Sequence, residues 1–167
     1  MTDQSTHARE LLVRILKDPA SLDMSNWYVQ QACGTTACAA GHSALLMGWT
    51  PIPLPNTNRI DMFFNPERTV IRTAASLGQE FLDLDDDTAY ELFHNTSRLP
   101  LINILDRAAQ GEEITQEMME DECDVWEEHP WGRADNDAAF FEAVSHLAPR
   151  YLTQDEIDSL ELIPRRM

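Results

Sequence analysis

Between Cys33 and Trp49 the chain reads Cys-Gly-Thr-Thr-Ala-Cys-Ala-Ala-Gly-His-Ser-Ala-Leu-Leu-Met-Gly-Trp, a stretch with almost no bulk before Leu45. At about 100° per residue, a helix from Thr36 to Met47 closed by Gly48 gathers Ala37, Ala40, Gly41, Ala44 and Gly48 on one side. A side that bare forms a smooth groove in which a neighbouring helix can approach unusually closely. On the adjacent side Cys38, His42, Leu45 and Trp49 recur at i, i+4, i+7 and i+11. This places a thiol and an imidazole beside two large apolar side chains. The reading that follows is a buried thiol acting as a small hydrophobe, with a histidine hydrogen-bonded in or beside the core.

The rest of the chain reads as helical almost throughout. Ala8, Leu11, Leu12, Ile15 and Leu16 make one apolar stripe, with Ser5 or Thr6 as the expected cap and Asp18-Pro19 as the stop. Residues 20–34 read as an irregular connection anchored by Met24, Trp27 and Tyr28. Pro51, Pro53 and Pro55 exclude regular structure near 51–59, and Arg59 to Phe64 is a short strand or an extended loop. Asn65-Pro66-Glu67 has the form of a helix start, with Val70, Ile71, Ala74, Ala75 and Leu77 as the buried face and Gly78 as the stop. Asp85-Asp86-Asp87 opens a helix carrying Ala89, Leu92 and Phe93. Leu101 to Ala109 forms the next helix, ended by Gly111, and Thr115 to Glu128 another. Asp135 or Asn136 caps a helix over Ala138, Phe141, Val144 and Leu147, stopped by Pro149. Thr153-Gln154-Asp155-Glu156 is a capping box ahead of Ile157, Leu160 and Leu162. Residues 1–167 are thus expected to form one all-α domain, a compact bundle of seven or eight helices.

Charge is divided unevenly. Residues 1–79 hold six acids and six bases, whereas residues 80–167 hold 23 acids and six bases, so the net charge of −17 lies wholly in the second half. Free nucleic acid is an unsuitable partner, because phosphate binding needs clustered Lys and Arg. The neutral first half argues against salt adaptation. Between Glu112 and Glu128 there are nine acids and no base. On a helical wheel Glu117, Glu120, Asp121, Asp124, Glu127 and Glu128 share one face, opposite Met118, Met119, Cys123, Val125 and Trp126. Glu122 falls among the apolar positions, at the margin or toward a partner. Six carboxylates on one face repel one another, which suits either plain solvation or docking to a basic groove. The run Asp83-Leu84-Asp85-Asp86-Asp87 lacks the glycine turn and terminal Glu of a calcium-binding EF-hand loop.

Two sharper chemistries use the thiol-rich stretch. Cys33, Cys38 and His42 with Cys123 would suit zinc, although Cys33-x4-Cys38 is not a usual knuckle spacing. A thiol nucleophile at Cys33 or Cys38 would gain from a helix N-terminus, with Gln30 or Gln31 near an oxyanion and His94, His129 or His146 as base. Gln31-Ala32-Cys33-Gly34 is weakly similar to papain-like proteases, but the position of the nucleophile and its following Trp do not match.

Cys33-Gly34-Thr35-x-x-Cys38-x-Ala40-Gly41-His42, preceded by Asp23-Met24-x-x-Trp27, resembles a group of small uncharacterised proteins from bacteriophages and their bacterial hosts. Ala74-Ala75-x-Leu77-Gly78 followed by Tyr90-Glu91-Leu92-Phe93 is similar to a later segment of that group. The likeness covers roughly residues 10–110 and implies a phage or mobile-element setting, with no particular catalysis. Trp or His occupies the position of His42 in the group, which weakens ligand and base roles there.

The expectation is a non-enzymatic, cytoplasmic protein without a cofactor. Its three cysteines form no closed disulfide set, no long apolar run suggests a membrane, and Met1 to Thr6 does not begin a signal peptide. Its partner is a basic surface of a host protein, met through the acidic face as a mimic of DNA. The alternative is a zinc protein or thiol hydrolase built on Cys33, Cys38 and His42.

Overall fold

The structure, a computed structural model, describes residues 2–29, 36–127 and 136–162, with the backbone alone for 124–127. Eight α-helices and five short strands occur among them. The all-α expectation is therefore corrected: the fold is mainly helical, with two small antiparallel sheets.

Helix α1 spans Asp3–Lys17 and buries Ala8, Leu11, Leu12, Ile15 and Leu16. Its cap is Thr2, whose hydroxyl accepts from the Ser5 N–H at 3.1 Å. Ser5, expected as a cap, lies inside the helix and donates its hydroxyl to the Ala109 carbonyl at 3.2 Å. That bond ties α1 to α5 (Arg98–Ala109), along which it packs. Asp18 ends the helix as expected, and a 3-10 turn follows at Pro19–Ser21.

Strand β1 (Tyr28–Val29) pairs with β2 (Thr36–Ala37), so α2 begins only at Ala39 and runs to Leu46. Thr36 and Ala37 fall in a strand because Ala37 also accepts the Asp23 N–H at 2.9 Å, and that backbone bond competes with helix. Gly48, with φ of +81°, follows the helix end. Strands β3 (Thr50–Pro51), β4 (Met62–Phe64) and β5 (Ile71–Thr73) form the second sheet in that order. Pro51 is accommodated because β3 is an edge strand.

Asn65 does not start a helix. Its side-chain oxygen accepts the Thr69 and Val70 N–H groups at 2.7 and 2.9 Å and closes the turn between β4 and β5. The same acceptor chemistry caps helices or turns, and here the paired strands decide. Val70 and Ile71, expected in the core, are exposed.

Helix α3 (Ala74–Phe81) starts directly from β5, capped by Thr73. Gly78 does not stop it but faces α2: a Cβ there would lie 2.9 Å from the Cα and Cβ of Ala40 and 2.8 Å from Phe93 Cζ. Helix α4 (Asp86–His94) is capped by Asp85 and buries Ala89, Leu92 and Phe93. Helix α6 covers Gln116–Glu127. Helix α7 (Asp137–Tyr151) is capped by Asn136, leaves Ala138 exposed, and continues through Pro149, which the sequence marked as its stop. Pro149 sits in the exposed last turn, so little is lost by its missing N–H. Helix α8 (Gln154–Asp158) carries the expected capping box, although Leu162 beyond it is exposed. Apolar residues of α1 to α7 and of β4 meet in one core.

Candidate functional site

The acidic surface is built at the starts of α4 and α6. Gln4 on α1 clasps the two: its amide nitrogen donates to the Leu82 carbonyl at 2.9 Å, and its amide oxygen accepts the Ile114 N–H at 3.0 Å. Leu82 and Ile114 precede α4 and α6 by a few residues. The clasp therefore brings exposed Asp83, Asp85, Asp86 and Asp87 to the same end of the molecule as exposed Glu113 and Glu117. Asp85 accepts the Thr88 N–H at 2.7 Å, and this bond holds its carboxyl below the ordinary range.

Along α6, Met118 and Met119 enter the core while Glu117, Glu120 and Asp121 face outward. The side chains of Asp124 and Glu127, and all of Glu128, lie outside the described residues. Glu122 turns inward instead of toward a partner and pairs with Arg107 at 3.0 Å. Arg107 also holds Glu112 at 2.7 Å; its bonds to Glu112 and then to Glu122 raise its pKa, and the Arg107–Glu112 bond lowers that of Glu112. One arginine thus offsets two of the nine acids. The expected face survives in Glu117, Glu120 and Asp121.

The thiol-rich segment resolves differently. Cys33, Gln30 and Gln31 lie outside the described residues, as does His129. Cys38 is buried, its Sγ 3.9 Å from the Trp27 carbonyl, and burial pushes its thiol up to about 12. A thiol held protonated at neutral pH is a poor nucleophile. Cys38 and His94 line the same small cavity of about 270 Å³, beneath Trp27. His94 is nevertheless exposed, stacked on Tyr90 and edge-on to Trp27. His146 is exposed on α7 near Glu142. Cys123 is half-buried on α6. Among the described residues no three His, Cys, Asp or Glu side chains come together as a metal site.

His42 points away from Cys38, into a larger cavity beside α1. Its Nδ1 accepts from Arg14 Nε at 2.9 Å, so its Nε2 carries the proton and donates to the Ser21 carbonyl at 3.1 Å. Burial is the main cause that lowers its pKa to about 4; the Ser21 bond opposes this and the Arg14 charge adds to it. Because the folded value lies below the ordinary 6.5, protonation favours the unfolded chain. This contribution is complete above pH 6.5 and is lost as the pH falls toward 4, about 3 kcal/mol in all. Urea unfolding of the native chain and His42→Gln between pH 7.5 and 4 checks it: the native protein should lose more stability, and equal losses would refute the assignment.

Sequence reasoning missed Arg14, Tyr28 and the cavity they line with His42. They come from separate segments, and no local pattern links them. No helix among the described residues is long and apolar enough to cross a membrane. No family model, curated protein or solved structure matches the chain.

Proposed function

We propose that the protein is a non-enzymatic binding protein that docks its acidic end onto a basic protein surface, of the kind that otherwise holds nucleic acid. The observation that supports this reading is the gathering, by the Gln4 clasp, of carboxylates from the α3–α4 turn, α4, the segment before α6 and α6 itself. A solvated surface needs no such concentration, and repulsion among like charges costs a few tenths of a kcal/mol per close pair. A partner rich in Arg and Lys relieves that repulsion, and the field steers its approach. A bacterial host is the setting we propose for such a partner, in line with the resemblance of the Cys33–His42 motif to phage proteins; there a row of carboxylates can stand in for DNA phosphates.

The test is capture of partners from a bacterial lysate by the native chain and by a Glu117→Lys, Glu120→Lys, Asp121→Lys triple variant. All three residues are exposed, so the variant keeps its fold. A partner held at low salt should be released at about 0.5 M salt, where screening falls below about 5 Å. It should also be displaced by duplex DNA and weakened at least about tenfold by the variant. A partner that resists salt, or that binds the variant equally, overturns the reading.

A further inference from the structure

The cavity beside His42 occupies about 710 Å³ between α1, the 3-10 turn, β1 and α2, a size in the range of small-molecule sites. Val13, Leu45 and Leu46 supply apolar wall, and Tyr28 presents its ring and hydroxyl. Besides Lys17, which pairs with Glu156 at 3.1 Å, the cation in this wall is Arg14. It is half-buried, and burial lowers its pKa, yet a guanidinium remains charged. Its Nε is committed to His42 Nδ1. Among the described residues its two terminal nitrogens have neither a hydrogen bond nor an ion pair, and the Tyr28 hydroxyl has no hydrogen bond.

Asp18 on the same wall attracts the Arg14 charge, and the terminal nitrogens of Arg14 keep their hydrogen-bonding capacity for a group that enters the cavity. We propose that this cavity binds a small organic monocarboxylate, its carboxylate on the terminal nitrogens of Arg14 and its apolar body against Val13, Leu45 and Leu46. The fork geometry of Arg matches a carboxylate with two parallel hydrogen bonds. His42, neutral and held by the Ser21 carbonyl, orients the fork by accepting from Nε. The Tyr28 hydroxyl provides a further donor. Glu10 and Asp18 on the same wall disfavour a dianion, which selects a monocarboxylate over phosphate. This site is independent of the acidic end and needs no catalysis.

Titration of the full chain with benzoate, octanoate and inorganic phosphate at pH 7, followed by calorimetry and by amide chemical shifts, tests it. At least one of the two carboxylates should bind saturably with Kd below about 1 mM and shift the amides of α1 and α2, and phosphate should bind at least about tenfold more weakly. Arg14→Met should weaken carboxylate binding at least about tenfold. Leu46→Trp, which fills the apolar part and leaves Arg14 in place, should do the same and guards against loss of fold at Arg14. Absence of saturation with both carboxylates, undiminished binding by a folded Arg14→Met chain, or phosphate binding as tight as the carboxylates would each overturn the proposal.

Discussion

Gly41→Ala is expected to abolish or nearly abolish folding, with a loss of about 4 kcal/mol or more against a total stability of about 5–15 kcal/mol. Intrinsic propensity predicts the opposite sign, because alanine in a helix is better than glycine by about 1 kcal/mol. The reversal comes from the Trp27 carbonyl, which would lie 1.9 Å from a Cβ at position 41. That oxygen has nowhere to go. The Asn26 carbonyl accepts the Cys38 N–H at 2.8 Å, Tyr28 is paired with Ala37, and the Asp23 carboxylate holds the Ser25 N–H and the Asn26 amide. A second wall stands at Ala37, whose Cβ would be 3.0 Å away. Relief therefore requires α2 to separate from the turn before β1, and α2 also carries Ala40 against Gly78 on α3. Thermal unfolding of the variant decides the matter. A melting temperature within a few degrees of the native value, or above it, would show that propensity rules and the close approach is absent.

Phe63→Ala is the second large effect, with an expected loss of about 3–5 kcal/mol, the usual range for a buried phenylalanine. Phe63 is the fully buried residue of β4, and its ring stands edge-on to Tyr28 at 5.9 Å. β4 is the middle strand of the second sheet, so this side chain attaches the sheet to the helical core. Its removal leaves a void beneath Tyr28, one wall of the Arg14 cavity. Carboxylate binding should weaken along with stability. Chemical denaturation checks the first consequence, and a loss below about 1 kcal/mol would mean that the sheet sits on the surface without anchoring.

Most helices were legible because their signals act within four residues. The stripe of α1, the Asp85 cap of α4 and the capping box at Thr153 each concern one helical turn and its own N–H groups. The signals misread were those with two outcomes. Asn65-Pro66-Glu67 offers an oxygen that serves a helix or a turn, and β4–β5 pairing selects the turn. Thr36 and Ala37 continue a helical pattern but are taken by β1. Strands of two or three residues leave no period to detect.

The candidate sites divide in the same way. By itself the sequence determined that the excess negative charge lies after residue 79, that Glu117, Glu120 and Asp121 oppose Met118 and Met119, and that α2 is bare enough for close packing. These follow from composition and from helical geometry. Only the tertiary structure decided that Gln4 joins the acidic starts of α4 and α6, that Glu122 turns in to Arg107, and that His42 faces Arg14 while Cys38 faces Trp27. Each of those contacts joins a side chain to a group distant in sequence, and their meeting depends on how whole elements pack.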